Sequence, residues 1–239
     1  MKVAILLLAA GRGSRLGATR PKAYLDLGGR PLLLHCAERL LIALQPTATC
    51  DLIVVAHPDD HDPYLAPLSG ELRRLLGPSG RLAVAPGGST RQESMQNGLG
   101  AALDAELIVV HDAARPLVPI AATRACLAAA AHDGAALLAI PATDTLKQVR
   151  EGAVVGTLDR SAIWYAQTPQ IARRELLERA CRHAHATGFE ATDDVALIEH
   201  LGAPVRIVPG TPSNLKITRP DDVPLAAALL AREAGTRGS

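Results

Sequence analysis

Four short stretches of this chain, residues 3–8, 52–55, 107–110 and 135–140, are apolar at every position. A strand without a polar face must be covered on both sides, which is the situation of strands in a parallel sheet. Between these runs lie longer segments, residues 31–45, 64–76, 90–103 and 120–132, whose apolar residues recur three and four positions apart. That spacing predicts helices, and Pro31 suits the first turn of the first one. Strand and helix in alternation predict an α/β fold: a mostly parallel, Rossmann-like sheet with helices on both faces.

The alternation pauses after Pro141. Residues 145–149 and 154–158 flank Arg150, Glu151, Gly152 and Ala153, which reads as a β-hairpin with a glycine in its turn. The hairpin has little apolar surface of its own and is expected to rest on a neighbour. Helices are predicted at 172–187 and 194–201, a strand at 205–208, and a helical tail at 220–233 before a frayed polar end. With no internal repeat and no linker, the expectation is a single domain over 1–239 with a projecting arm at about 141–168.

Composition narrows the function. Lysine and arginine number 25 against 24 aspartates and glutamates, a net charge of +1. A nucleic-acid binder usually carries a large positive excess. Single-strand binders also want a row of stacking rings, and the aromatic residues here are only Tyr24, Tyr64, Trp164, Tyr165 and Phe189. Nucleic acid is therefore not expected as a partner. The apolar run at 3–10 is too short to cross a bilayer, and no cleavage pattern follows it, so neither membrane nor export is expected. Cys36, Cys50, Cys126 and Cys181 match neither a metal motif nor a disulfide framework. They read as buried thiols of a cytoplasmic protein.

The first strand runs into Ala9, Ala10, Gly11, Arg12, Gly13, Ser14 and Arg15. A dinucleotide fingerprint would need glycine where Leu16 stands, and a Walker A loop would need a Gly-Lys-Ser/Thr that is absent. What remains is a glycine loop punctuated by Arg12, Arg15, Arg20 and Lys22. On residue types alone it could be a solvated basic loop or a cradle for a triphosphate, whose oxygens want both N–H donors and compensating charge.

Longer motifs decide between these. The opening Leu8-Ala9-Ala10-Gly11 with Gly13, Arg15, Pro21 and Lys22 resembles the start of the sugar-phosphate nucleotidyltransferases. The stretch from Pro86 through Arg91 to Ser94 is similar to the base-reading loop of the cytidylyltransferases, and Val110-His111-Asp112-Ala113-Ala114-Arg115 to their most distinctive segment. Leu158 to Arg160, Trp164 with Thr168, Thr192-Asp193-Asp194 and Asn214-Leu215-Lys216 follow in the family's order. The resemblance spans residues 3 to 220 and is strongest to the cytidylyltransferases that act on 2-C-methyl-D-erythritol 4-phosphate in isoprenoid synthesis, with ribitol 5-phosphate as the rival acceptor. A catalytically silent nucleotide-binding module is the reading of another class.

The resemblance implies roles. Ala9, Ala10, Gly11 and Gly13 would meet CTP through the backbone, while Arg15 and Lys22 would stabilise charge building on the phosphates, with Mg²⁺ as cofactor. Gly88, Ser89 and Ser94 would read cytosine, and Asp112 and Ala113 would touch the nucleotide. Asp112 could also meet the metal or the acceptor. Arg115, Thr145, Arg160, Thr192 and Lys216 would bind the acceptor, with Thr145 and Arg160 delivered by the arm to a second subunit of a homodimer. Arg115 could instead hold Asp112. Two departures stand out: relatives often carry acids where this chain has Ser89 and Ser213. His111 is expected to pack rather than catalyse, and the pairs His57/His61 and His183/His185 to lie on the surface rather than bind metal.

Overall fold

A computed structural model describes residues 1–11 and 20–237 of the chain. The main sheet has seven strands: β1 (Lys2–Leu8), β4 (Thr49–Ala56), β5 (Leu82–Pro86), β6 (Leu107–Asp112), β7 (Ala135–Pro141), β10 (Trp164–Arg173) and β11 (Arg206–Pro209), in the order β11-β7-β10-β6-β1-β4-β5. Short pairs β2 (Asp26–Leu27) with β3 (Arg30–Pro31), and β8 (Lys147–Arg150) with β9 (Ala153–Thr157), stand apart from it. All neighbours in the main sheet run parallel except β10, which is antiparallel to both β6 and β7.

The continuous apolar runs explain the layering. On β1, Val3, Ile5 and Leu7 face one core while Ala4 and Leu6 face the other, and β4 and β6 divide in the same way. Helices α1 (Leu32–Leu44), α2 (Ser69–Leu76) and α4 (Ile120–Asp133) cover the first face. Helices α3 (Arg91–Ala101), α5 (Arg174–Thr187) and α6 (Asp194–His200) cover the second. Leu33, Leu40, Leu41 and Leu44 of α1 are each 0–2% exposed, and burying a leucine contributes roughly 1.5–3 kcal/mol. Helix α7 (Asp222–Arg237) packs through Ala226 on Leu27, Leu32 and Ile217.

Three expectations need correction. The helix foreseen from residue 172 begins at Arg174, because β10 continues through Arg173. Strands β5 and β10 have no counterpart among the apolar runs. The single helix foreseen over 64–76 is a π turn (His61–Leu65), a 3₁₀ turn (Ala66–Leu68) and then α2. Pro67, which has no N–H to give to a helical ladder, sits at the break. The hairpin does turn at Glu151 and Gly152, both with positive φ, as a tight two-residue turn requires.

Candidate active site

Where β1, β4, β5 and β6 end, the chain opens into a cleft of about 510 Å³. The sequence order of the strands reverses direction at β1, between β4 on one side and β6 on the other. Open α/β sheets leave a ligand crevice at such a point, outside the carboxyl ends of the strands. The last ladder bonds define its floor: Ala9 N–H donates to Val55 O at 2.8 Å, Gly87 N–H to Ala56 O at 2.8 Å, and Ala113 N–H to Leu8 O at 3.0 Å.

Two loops come close here because Gly87 has no side chain. A Cβ at this position would stand 2.3 Å from the Ala10 Cβ. Next in the chain, Thr90 caps α3 by accepting the Glu93 N–H at 3.0 Å. Glu93 reaches back to take the Ser89 N–H at 2.6 Å and its hydroxyl at 2.7 Å, so the loop is held at Thr90 and Ser89 together. Those Ser89 bonds lower the Glu93 carboxyl below its ordinary value. The Ser94 hydroxyl accepts the Gly88 N–H at 2.9 Å and donates to Thr90 O at 2.9 Å. Ser94 thus braces the loop whose backbone faces the cleft.

Lys22 begins a 3₁₀ turn (Lys22–Tyr24) in which Ala23 and Tyr24 are buried. The Tyr24 ring stacks on Tyr64 with centroids 5.2 Å apart, which seats the backbone carrying Lys22 at the cleft wall. Asp112 ends β6 with its carboxylate divided: Oδ2 receives the Lys216 ammonium at 2.6 Å, and Oδ1 receives Arg91 Nε at 3.2 Å and Nη2 at 3.1 Å. Burial raises the Asp112 carboxyl, but the charges of Arg91 and Lys216 outweigh it and hold the group well below the usual carboxylate range. Asp112 is an anion at any working pH.

Ten expected residues line this cleft: Ala9, Ala10, Gly11, Lys22, Gly88, Ser89, Ser94, Asp112, Ala113 and Lys216. Gly13 and Arg15, with Arg12, lie outside the described residues. Arg115 is not in the lining and does not grip Asp112. It donates to Asn214 O at 2.7 Å and Ala166 O at 3.5 Å, holding the segment before Lys216 against β10. Thr145, Arg160 and Thr192 are exposed and not among the cleft-lining residues. Arg160 bonds the Thr143 carbonyl at the base of the arm. Two residues without an expected role stand out. Arg91 lines the cleft and makes a fork to Asp194 at 2.8 and 2.7 Å. Gln170 fixes the start of α6 by accepting the N–H groups of Asp194 and Val195.

Among the described residues no three His, Cys, Asp or Glu side chains gather as a metal cage. Asp112 is the one carboxylate in the described lining. Magnesium keeps waters and usually takes one or two carboxylates plus substrate phosphates. An ion of this kind carried by a triphosphate would meet Asp112 as the carboxylate at the cleft, and both oxygens of Asp112 already take Lys216 and Arg91.

A Rossmann-like sheet whose strand ends meet at a cleft lined by Lys22 and Lys216 is an α/β architecture with an anion-receiving crevice, and the family it matches is one of nucleotidyltransferases. The family model "IspD: 2-C-methyl-D-erythritol 4-phosphate cytidylyltransferase" matches residues 3–232, and the chain belongs to that family. It is 46% identical over 239 residues to the bifunctional enzyme IspD/IspF of Anaeromyxobacter dehalogenans, covering 97% of this chain and 58% of that protein. It is 41% identical over 236 residues to the 2-C-methyl-D-erythritol 4-phosphate cytidylyltransferase of Pelotomaculum thermopropionicum, covering 98% of this chain and 96% of that one. The solved structure of the Thermus thermophilus enzyme of the same name is similar with a TM-score of 0.74, 35% identity, and coverage of 96% of this chain and 98% of the other.

Proposed function

We propose that the protein transfers CMP from CTP to 2-C-methyl-D-erythritol 4-phosphate and releases pyrophosphate, in isoprenoid precursor synthesis. The observation that carries this is the cleft itself, where backbone of the two glycine loops faces Lys22 and the Asp112–Lys216 pair. An oxygen of the acceptor phosphate attacks the α-phosphorus of CTP. The new P–O bond forms as the α–β bridging P–O bond breaks, and pyrophosphate leaves with that electron pair. The acceptor phosphate has a second pKa of about 6 and is mostly dianionic at neutral pH, so the attack requires no general base. Lys22, with Arg15, stabilises charge on the triphosphate, and Lys216 meets the acceptor phosphate. Mg²⁺ would neutralise charge developing on the phosphate oxygens.

The chain is read as one nucleotidyltransferase domain over 1–239, working in the reducing cytoplasm where Cys36, Cys50, Cys126 and Cys181 stay free. The arm at about 141–168 is read as the contact of a homodimer, carrying Thr145 and Arg160 to the neighbouring acceptor site. Support for that is the exposed Val149, Val154, Val155, Leu158, Trp164 and Tyr165 along it.

The test is pyrophosphate release with CTP and a panel of acceptors, repeated with ATP, GTP and UTP. Turnover is expected with CTP and methylerythritol phosphate, and Lys22→Ala should lower kcat by about 100-fold or more with the fold unchanged by circular dichroism. Equal or better turnover of ribitol 5-phosphate would move the acceptor to that polyol. CTP binding without turnover of any acceptor would favour a silent nucleotide-binding module.

A further inference from the structure

Arg91 opens α3 directly after its cap, and its guanidinium is wedged between two carboxylates that belong to different parts of the fold. Four hydrogen bonds run from it: Nε and Nη2 to Asp112 Oδ1 at 3.2 and 3.1 Å, Nη1 and Nη2 to Asp194 Oδ1 and Oδ2 at 2.8 and 2.7 Å. That occupies four of the five N–H groups an arginine has. The Asp194 side chain is 4% exposed and that of Asp112 11%. Charges alternate along the row Lys216, Asp112, Arg91, Asp194, so each buried anion has a cation beside it.

We infer that Arg91 is a positioning residue for the reaction proposed above: it holds one oxygen of Asp112 so that the other is left to place the Lys216 ammonium in the cleft. The far side of Arg91 is anchored in rigid structure. Asp194 is the first residue of α6, its N–H donates to Gln170 Oε1 at 2.9 Å, and Gln170 Nε2 donates to the α6 cap Asp193 at 2.9 Å. The Asp112 carboxylate therefore cannot turn as a free group would. With Oδ1 gripped, Lys216 meets Asp112 at Oδ2, at 2.6 Å. Without Arg91, both oxygens of Asp112 would be open to Lys216 and the ammonium would be drawn back toward β6, away from an incoming phosphate. Lysine cannot replace the fork, because a single ammonium does not span two carboxylates with a planar set of donors.

The test compares wild type, Arg91→Lys, Asp112→Asn and the double variant, all checked for folding by circular dichroism. Arg91→Lys should lower kcat by about 100-fold, as a misplacement of about 1 Å can. KM for CTP should stay within about threefold, with the loss falling on kcat and on the acceptor KM. On the Asp112→Asn background the same substitution should cost less than about threefold further, because Arg91 acts through Asp112. Losses that multiply in the double variant, or near-wild-type kcat in Arg91→Lys, would overturn the inference. A readout independent of turnover is the side-chain NMR signal of Lys216, identified by its loss in Lys216→Arg. It should shift in Arg91→Lys, and an unmoved signal would count against the inference even if wild type turned over no acceptor and the proposed reaction had failed.

Discussion

His111 and Asp112 stand side by side at the end of β6, and their surroundings drive them to opposite charge states. The Arg115 carbonyl, 3.1 Å from His111 Nε2, can only accept, so Nε2 carries the proton. Nδ1 then accepts the Thr168 hydroxyl at 3.0 Å, and Thr168 Oγ1 in turn accepts the Asp112 N–H at 3.2 Å. Burial pushes the His111 imidazole down to about 4, so it is neutral, and it serves to fix the strand end. Its folded pKa lies below the unfolded value of 6.5, so the unfolded chain binds the extra proton first as pH falls. Stability is complete above about pH 6.5 and is lost progressively toward pH 4. At pH 5 this one group should cost about 2 kcal/mol. Urea denaturation at pH 7 and pH 5 should show that loss in wild type and a smaller one in His111→Gln. An equal pH dependence in both would remove His111 as its source.

The residue scale also shows what the motifs could not convey. Arg91 is visible in the sequence as part of a loop, yet its role depends on Asp194, 103 positions away. Arg115, expected from the resemblance to contact the acceptor or to hold Asp112, sends its bonds to Asn214 and Ala166 instead. Spacing along a strand end does not say which way a long side chain turns.

At the scale of elements, β1, β4, β6 and β7 were legible because each has a run buried on both faces that is apolar at every position. Strand β10 was not, because half of its buried residues, Gln167, Thr168 and Gln170, are polar. Their partners come from distant segments: Asn214 Nδ2 donates to Gln167 Oε1 and to Thr168 O, and Gln170 Nε2 donates to Asp193. A polar strand becomes affordable in a core only when such partners arrive, and local pattern carries no sign of them. The meeting of the two cleft loops is a similar case. Gly87→Ala would push a methyl into Ala10, and overpacking of this kind costs about 1–3 kcal/mol. The expected result is a lower melting temperature and about a tenfold higher KM for CTP. Adding Ala10→Gly should recover both; a double variant as impaired as Gly87→Ala alone would show that the contact is not the cause.

For the molecule as a whole, the arm is the element that carries exposed apolar side chains outside the main sheet. Val154 is 62% exposed and Val155 53% exposed on a hairpin outside the main sheet, and contiguous exposed apolar side chains mark contact surfaces. Val154→Asp with Val155→Asp should weaken self-association by about tenfold or more in sedimentation velocity, with the melting transition retained. If the neighbour's arm completes each acceptor site, turnover should then rise with protein concentration. A dimer that persists unchanged would take the arm out of the contact. No helix among the described residues is long and apolar enough to cross a membrane.

The alternation of doubly buried strands with helices was written in the sequence, because hydrophobic burial is local enough to leave a period in the chain. So were the glycine loops and the cations between them. Tertiary structure decided which charges meet. The row from Lys216 through Asp112 and Arg91 to Asp194 joins residues from four separate segments. Only the sheet brings these groups within 3.2 Å of one another, where the buried carboxylates of Asp112 and Asp194 must pair because little water is there to solvate them.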